Sequence, residues 1–494
     1  MPPVPPDGRR AWRRLSTPGI AGAVLLLLVT AVAVGTRWRQ PDPAARLPPL
    51  PDLGRQTPAV VAHLQDAYDA ARQDPASIAA VGRLCRAYHA DMFFDQAWRC
   101  YGVAVDLDPQ DWRWQYYRAL IDAERGGGDA LAESLRQIVA RTPGFGPAWL
   151  RLGDAEFKAG RYAAAREAWA RASELDEPPR DGGSPANIVE IPLADYASLG
   201  LSRLALMEGD VERAREGLER LAASAPAFGS AFRLLADAYQ SLGRAADAAR
   251  AVYRANRLPP FTPYADPMVD VLARESRNST LLLRLASESA LSINAAWSEH
   301  LTRRAAEFDP GNPEVVVKLG RILRTVGRNE EALEWFQRYH EMVPDDVRGL
   351  AHIGSCLSAL GRYQEAESYL RRALSGFDDA MTHFNLGLLL VVTGRLDEGI
   401  REYERALERD PAHADARLNL AAALARQGQL DRSSHELARL LVDDPENGVA
   451  HANLGFVLLQ QGELAQARRE LEEALRLEPG LVPAAEALES LPHP

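Results

Sequence analysis

Apolar residues along most of the chain follow a helical spacing, and a proline closes the pattern at regular intervals. These closing prolines are Pro75, Pro109, Pro143, Pro178, Pro226, Pro260, Pro310, Pro344, Pro411, Pro445 and Pro479. Most steps are 34 or 35 residues, and the step of 67 spans two repeats because Asp378 stands where the missing proline would be. A constant period of this length predicts a stack of repeated helix pairs and not three independent domains.

Each repeat has small residues where two helices must approach and large apolar residues between them. In the last repeat, counted from Gly448, the small residues are Gly455, Ala467 and Ala474, and Leu471 is a large one. A terminal proline ends the second helix. This pattern resembles the tetratricopeptide repeat, which implies an all-α, right-handed solenoid.

We place eleven helix-turn-helix units, less regular near residues 112, 195 and 279. They start near residues 78, 112, 146, 195, 229, 279, 313, 347, 380, 414 and 448.

Segments outside the repeats divide the chain further. We expect capping helices at 59–75 and 481–494, which would cover the ends of the stack. The N-terminal array covers 76–260, with an insertion at 179–193, and the C-terminal array covers 279–480. A second insertion, 261–278, separates the arrays, and its sequence MVDVLARES predicts a short extra helix. Such insertions are surface loops, hinges or binding elements.

The N-terminal segment is predicted to insert into a membrane. Residues 17–36 carry no charge, and twenty residues in a helix are just long enough to cross a bilayer. Arginines in 1–16 predict a cytoplasmic N-terminus, and the proline-rich segment 37–58 is predicted to be an extended spacer. We therefore expect a single-pass membrane protein whose repeats lie outside the cytoplasm, in the periplasm. The alternatives are a signal peptide cleaved near Ala33, giving a secreted protein, and an ordinary buried helix.

Charge and cysteine content remove several classes of function. Lys and Arg number 57 against 68 Asp and Glu, a net charge of -11, which argues against nucleic acid as a partner. Cys85, Cys100 and Cys356 match no zinc or haem spacing, so we expect no metal and no cofactor. Cys85 and Cys100 lie on the two helices of one repeat. We expect them to pack as small residues, with a disulfide as the alternative.

We find no residues that would make the chain an enzyme. The motifs HExxH, GxSxG, GxxxxGK[ST] and GxGxxG are absent, so no catalytic residue is predicted. His383 and His451 occupy the fourth position of their repeats. We interpret both as packing or groove residues, because no second metal ligand follows three or four residues later.

The resemblance implies that the sixth residue of each first helix faces a concave groove that binds extended peptides. In the last three units this residue is Asn385, Asn419 and Asn453. An amide donates and accepts at once, so such a ladder could hold the backbone of a peptide. The alternative is that these asparagines only solvate the groove.

Upstream, the same column is basic but interrupted. The basic members are Arg83, Arg151, Arg284 and Lys318, which suit an anionic partner or simple solvation, and Tyr117, Gly200 and Leu234 interrupt them. Phe384 and Phe456 near the groove favour a ligand with aliphatic side chains. The second position holds Met381, Asp415 and Val449, not the Lys or Arg of a carboxylate clamp for chaperone C-termini.

The sequence therefore predicts a membrane-anchored scaffold that binds an extended peptide or partner protein in its concave groove. The alternative is an accessory subunit of an envelope enzyme system, such as cytochrome maturation or polysaccharide export. The fold class rests on many residues, whereas the role rests on the groove column.

Overall fold

The computed structural model describes residues 43–175, 191–258, 264–289 and 295–491. Within these ranges the chain forms twenty-five α-helices and no strand, which confirms the all-α class. The predicted transmembrane helix at 17–36 lies outside the described residues, as does most of the insertion 179–193. None of the helices in the described ranges combines the length and apolar character needed to cross a membrane.

The first twelve helices run from the N-terminal cap to the second insertion. They are α1 (Pro58–Gln73), α2 (Ile78–Ala90), α3 (Phe94–Leu107), α4 (Trp112–Glu124), α5 (Gly128–Arg141), α6 (Gly146–Lys158), α7 (Tyr162–Ser173), α8 (Leu193–Met207), α9 (Val211–Ser224), α10 (Gly229–Ser241), α11 (Ala245–Asn256) and α12 (Pro267–Glu275).

The remaining thirteen helices form the C-terminal array and its cap. They are α13 (Ser279–Ser289), α14 (Ala295–Phe308), α15 (Pro313–Thr325), α16 (Asn329–Met342), α17 (Arg348–Ala359), α18 (Tyr363–Gly376), α19 (Ala380–Val392), α20 (Leu396–Arg409), α21 (Ala414–Arg426), α22 (Leu430–Asp443), α23 (Gly448–Gln461), α24 (Leu464–Leu477) and α25 (Val482–Ser490).

Twenty-two of these helices form eleven packed pairs, which we number units 1 to 11 in chain order. Units 1 to 5 extend from α2 to α11, and units 6 to 11 from α13 to α24. Within units 1 to 5 and within units 6 to 11, each helix also contacts the next helix, so the units of each array stack in sequence. The single helices in the described ranges are the caps α1 and α25 and the insertion helix α12.

Glycine fixes the geometry within a pair at two places. Gly394 and Gly462 end the first helices of units 9 and 11 with φ of 83°, a conformation that glycine adopts without strain. At the contact between helices, a Cβ on Gly387 would lie 2.7 Å from the ring of Tyr403. The pair can therefore close around a buried tyrosine only because position 8 has no side chain.

The segment before α1 packs against the array. Leu47 is 6% exposed, and Leu50 and Leu53 also contact the first core cluster. The hydroxyl of Tyr88 donates to the carbonyl oxygen of Pro48 at 3.1 Å. From residue 47 onward, the segment predicted as a spacer thus belongs to the folded body.

Cys85 and Cys100 form a disulfide that joins α2 to α3 within unit 1. The expectation that they merely pack as small residues was wrong. The two Cα atoms lie 5.1 Å apart, within the range that a disulfide spans. The reason is positional, since the close approach that favours small residues at facing positions also brings two thiols together. Cys356 is free and buried.

The two arrays contact each other, because the chain turns back between them. Helix α12 packs against α2, and α14 contacts the cap α1. Asp91, 2% exposed at the end of α2, accepts hydrogen bonds from His63 of the cap and from the backbone N–H of Arg277. Unit 6 therefore begins beside unit 1. At the other end, Arg257 reaches Asp444 at 3.4 Å.

Candidate peptide-binding grooves

The first helices form the inner layer of the C-terminal stack. Direct contacts join α17 to α19, α19 to α21 and α21 to α23. Successive helices come closest on the inner side of a curved stack, so the first helices line its concave face. We call the surface formed by positions 2, 6 and 9 of units 9 to 11 the C-terminal groove. Its residues are Met381, Asn385, Leu388, Asp415, Asn419, Ala422, Val449, Asn453 and Phe456.

The three asparagines lie one unit apart in this groove, and all are half-buried. Asn419 donates from Nδ2 to the carbonyl oxygen of Asp415 in its own helix at 2.8 Å. Asn385 and Asn453 have no hydrogen-bond partner within the described residues. Two of the amides are thus available for a ligand, and the third still has an accepting oxygen.

Apolar side chains flank the amides. Met381 is 53% exposed, and Val449 and Ala422 are also exposed. Phe384 packs against the rings of His413 and Tyr403, with centroids 5.0 and 6.0 Å away, so it forms part of the groove wall. Phe456 packs against the last core cluster. The surface offers hydrogen bonds and apolar contact side by side.

A polar pair, buried in unit 9 and partly exposed in units 10 and 11, joins the two helices of each of these units. Position 4 contacts the glutamate at position 23 through His383–Glu402 at 2.6 Å, Arg417–Glu436 at 2.7 Å and His451–Glu470 at 2.7 Å. These contacts hold the first helix in register with the second, which positions the asparagine two residues further on.

Both nitrogens of the His451 ring contact hydrogen-bond acceptors. Nδ1 contacts Glu470, and Nε2 lies 3.1 Å from the carbonyl oxygen of Pro445. Only the imidazolium donates from both nitrogens. The bond to Glu470 accordingly raises the pKa of His451 above its ordinary value. His451 serves the fold, and the described residues contain no cluster of three His, Cys, Asp or Glu side chains suited to a metal.

The corresponding face of units 1 to 4 is covered by the chain itself. We call residues 264–278 the return segment, and the face that it covers the N-terminal groove. The segment crosses the units in reverse order, from Tyr196 of unit 4 to Arg151 of unit 3, Tyr116 of unit 2 and Arg86 of unit 1.

A carboxylate lies at the centre of the N-terminal groove. Asp266, 3% exposed, accepts from the hydroxyl of Tyr116 at 2.7 Å and from Nη2 of Arg151 at 3.1 Å. Nε of Arg151 donates to the same tyrosine oxygen at 3.0 Å, and its guanidinium carbon lies 5.3 Å from the ring centre of Tyr264. Burial raises the pKa of Tyr116 well above its usual range, so its hydroxyl remains a donor.

The helical part of the return segment is anchored at both ends. Asp266 caps α12 by accepting from the backbone N–H of Met268 at 3.0 Å, and Leu272 is buried in the first core cluster. Nε of Arg86 donates to both oxygens of Glu275 at 3.0 Å. The return segment therefore binds the groove through the ring of Tyr264, the carboxylates of Asp266 and Glu275, and the apolar face of α12.

Sequence models of the tetratricopeptide repeat match residues 129–185, 190–261, 314–379, 384–447 and 448–481, more than half of the chain. The chain belongs to the tetratricopeptide repeat family. The last matched range, 448–481, coincides with unit 11, whose first helix carries Asn453.

Two known proteins are similar to parts of the chain. It is 29% identical over 115 residues to the protein CTR9 homolog of Arabidopsis thaliana, covering 23% of this chain and 10% of that one. It is 27% identical over 142 residues to tetratricopeptide repeat protein 8 of Caenorhabditis elegans, covering 28% of each chain. The matches thus span less than a third of these relatives.

Solved structures are similar at low sequence identity. YrrB, a tetratricopeptide repeat protein with a peptide-binding site, matches at 22% identity and a TM-score of 0.32, over 38% of this chain and 97% of its own. Yeast Tom70 matches at 13% identity and a TM-score of 0.36, over 83% and 94%. The type IV pilus biogenesis factor PilW matches at 18% identity and a TM-score of 0.39, over 43% and 97%.

The basic residues of the predicted column lie in four different environments. Arg83 is exposed and has no ion-pair partner within the described ranges. Arg151 binds Asp266, and Arg284 lies 3.5 Å from Glu124 of unit 2. Lys318 donates to the carbonyl oxygen of Leu283 at 3.1 Å, and burial lowers its pKa. The structure therefore does not bring these cations together as one strip.

Of the residues that bind the return segment, sequence reasoning named Arg151 but missed Tyr116 and Arg86. Tyr116 and Arg86 occupy positions 5 and 9 of their units, which face the groove beside position 6. Tyr117, the residue that was singled out at position 6, is buried and stacks on Tyr101 with ring centroids 5.3 Å apart. One signal was available in Asp266–Pro267, since a capping aspartate before proline is typical of a helix start.

Proposed function

We propose that this protein is a scaffold that holds an extended segment of a partner protein in the C-terminal groove. The observation that carries the proposal is the pair of half-buried amides, Asn385 and Asn453, that have no partner among the described residues. Polar groups held beside an apolar surface gain most when a ligand satisfies them. The repeat architecture itself supports protein binding.

The groove selects for shape more than for sequence. Amides one unit apart can bind the N–H and C=O groups of an extended backbone, whatever its side chains are. Met381, Val449 and Ala422 add exposed apolar area next to those amides. We therefore propose a partner segment with aliphatic side chains and no dense charge.

We also propose that residues 17–36 anchor the protein in a membrane and that the arrays lie outside the cytoplasm. The uncharged run and the preceding arginines support this orientation. The disulfide between Cys85 and Cys100 adds support, since such bonds persist in oxidising compartments. With the chain docked from residue 47 and Pro43–Arg46 in a short 3-10 helix, only residues 37–42 would form an extended connection, about 20 Å at full length.

The groove is tested by replacing Asn385, Asn419 and Asn453 with alanine and repeating a cross-linking pull-down of the full chain. We expect the cross-linked partner to be lost while the helical signal and melting temperature stay unchanged. The matched control replaces three exposed amides on second helices, Gln337, Gln364 and Gln466, with alanine. Equal recovery of the partner by both variants would refute the groove proposal.

Topology is tested by adding a protease to spheroplasts. We expect the arrays to be cleaved while the inner membrane is intact, and deletion of residues 17–36 to release the protein from the membrane fraction. Arrays that stay protected until the inner membrane is lysed would place them in the cytoplasm.

A further inference from the structure

The return segment behaves as a ligand of the N-terminal groove in three respects. It lies outside the 34-residue period, so no repeat needs it to complete its helix pair. It follows the groove-facing residues of four successive units in order. Its contacts at the centre are directional, because one carboxylate meets a fixed guanidinium and a fixed hydroxyl.

The groove residues themselves define what kind of segment fits. Arg151 can bind a carboxylate and stack on an aromatic ring at the same time, as it does with Asp266 and Tyr264. Arg86 supplies a second cation for a carboxylate nine residues further along, Glu275. Between them, an apolar surface accepts one helix face through Leu272.

We propose that the N-terminal groove is a second peptide-recognition site and that the return segment is its resident ligand. The site recognises an aromatic residue two positions before an aspartate, followed by a short helix with an apolar face. While the return segment is bound, the site is closed to segments of other proteins. A partner carrying the same pattern enters only by displacing it.

The first half of the return segment suits displacement, because its central polar contacts are those to Tyr116 and Arg151. Its second half is also held by Arg304, which donates to three of its carbonyl oxygens, and by Asp91. The central ion pair and the Arg86–Glu275 pair join the segment to the groove, and Arg86 and Glu275 are both partly exposed to solvent. The cap α1 and the pairs of units 1 to 3 have their own buried cores. Releasing residues 264–271 therefore leaves these helix pairs with their own cores, and Leu272 and Ala273 stay in the buried clusters.

The test uses a fluorescent peptide with the sequence of residues 261–278 and the full chain. In the Asp266→Lys variant, a second cation opposes Arg151 and expels the return segment. We expect this variant to bind the peptide at least tenfold more tightly than the wild type does in fluorescence polarisation. Adding Arg151→Glu should return binding to the wild-type level, because the swapped pair closes the groove again.

A charge-swapped peptide provides the matched control. The peptide carrying Asp266→Lys should bind the single variant Arg151→Glu and should not bind Asp266→Lys. The proposal would be overturned if Asp266→Lys had normal helical content and did not bind the wild-type peptide. It would also be overturned if peptide affinity did not change with the charge of the residue at position 151.

A milder variant covers the case in which Asp266→Lys does not fold. Asp266→Asn keeps the helix cap and removes only the charge, and the same gain of peptide binding is expected. If both variants lose the wild-type helical signal, the return segment is part of the fold and the proposal is overturned.

Discussion

Arg151 and Asp266 lie 115 residues apart in the sequence and form an ion pair of 3.1 Å at the centre of the N-terminal groove. Tyr116 bridges them, since its hydroxyl donates to Asp266 and accepts from Arg151. This ion pair distinguishes Arg151 from the other residues at position 6 of the repeat units. Arg151 binds a carboxylate of its own chain, whereas Asn385 and Asn453 in the same column have no partner in the described part of the chain.

Replacing Arg151 with alanine should destabilise the N-terminal array. Asp266 is almost fully buried, so removing its cation leaves a buried charge with only two neutral donors, the Tyr116 hydroxyl and the Met268 N–H. The expected loss is about 3 kcal/mol of unfolding free energy, measured by urea denaturation.

Arg83→Ala is the matched control, because Arg83 occupies the same repeat position in unit 1 and is exposed. It should change the free energy of unfolding by less than about 0.5 kcal/mol. Equal effects of the two substitutions would contradict the assigned role of Arg151.

Reducing the disulfide should weaken unit 1. The bond closes a loop with a sequence separation of 15, for which about 3 kcal/mol is expected from the restricted unfolded chain. The melting temperature should fall when dithiothreitol is added, and the variant Cys85→Ser, Cys100→Ser should melt at that lower temperature with or without it. A wild-type melting temperature that does not change when dithiothreitol is added would show that the disulfide is not formed.

Unit 11 should lose stability as the pH rises through neutrality. The bond to Glu470 raises the pKa of His451 in the folded state, so the folded protein binds a proton more tightly than the unfolded chain does. This contribution is complete below about pH 6.5 and is lost as the pH passes the folded-state pKa.

Hydrogen exchange of residues 448–477, measured between pH 5.5 and 8.5, should therefore speed up beyond its intrinsic rise with pH. In His451→Gln this extra increase should vanish. If the extra increase in exchange rate persisted in His451→Gln, another titrating group would be responsible for it.

Unit 1 should respond to acid in the opposite direction. His89 is buried against Tyr101, with Nδ1 3.2 Å from the hydroxyl, and burial lowers its pKa to about 3. The unfolded chain then binds the proton first, so stability falls as the pH drops below about 6.5.

By pH 4 the loss should reach about 3 kcal/mol. His89→Phe should show a smaller loss of unfolding free energy between pH 7 and pH 4 than the wild type does. An identical acid profile for both proteins would contradict the burial argument.

The repeat pattern predicted the helical class and the family because it reflects contacts within one period. Gly387 and Tyr403, for example, lie 16 residues apart and meet in one pair. Even the irregular stretches near 112 and 279 form helix pairs, since neighbouring units supply the packing surface.

The sequence could not predict contacts between distant units. Arg86 and Glu275 are 189 residues apart, and Asp91 and Arg277 are 186 apart, so no period relates them. The disulfide was predicted only as the alternative to small-residue packing, since the pattern indicates that two positions face each other but not how closely two thiols approach. The path of the return segment depends on how far the N-terminal array curves, and this is a property of many small packing angles.

The central claim is that the C-terminal groove holds a partner. It is tested most directly by a photoreactive amino acid placed in the full chain in cells. Ala422 on α21 lies in the groove, and Val442 on α22 is 81% exposed on the second helix of the same unit. We predict a specific cross-linked partner from position 422 and none from position 442. Cross-links from position 442 alone, or equal cross-links from both, would contradict the account.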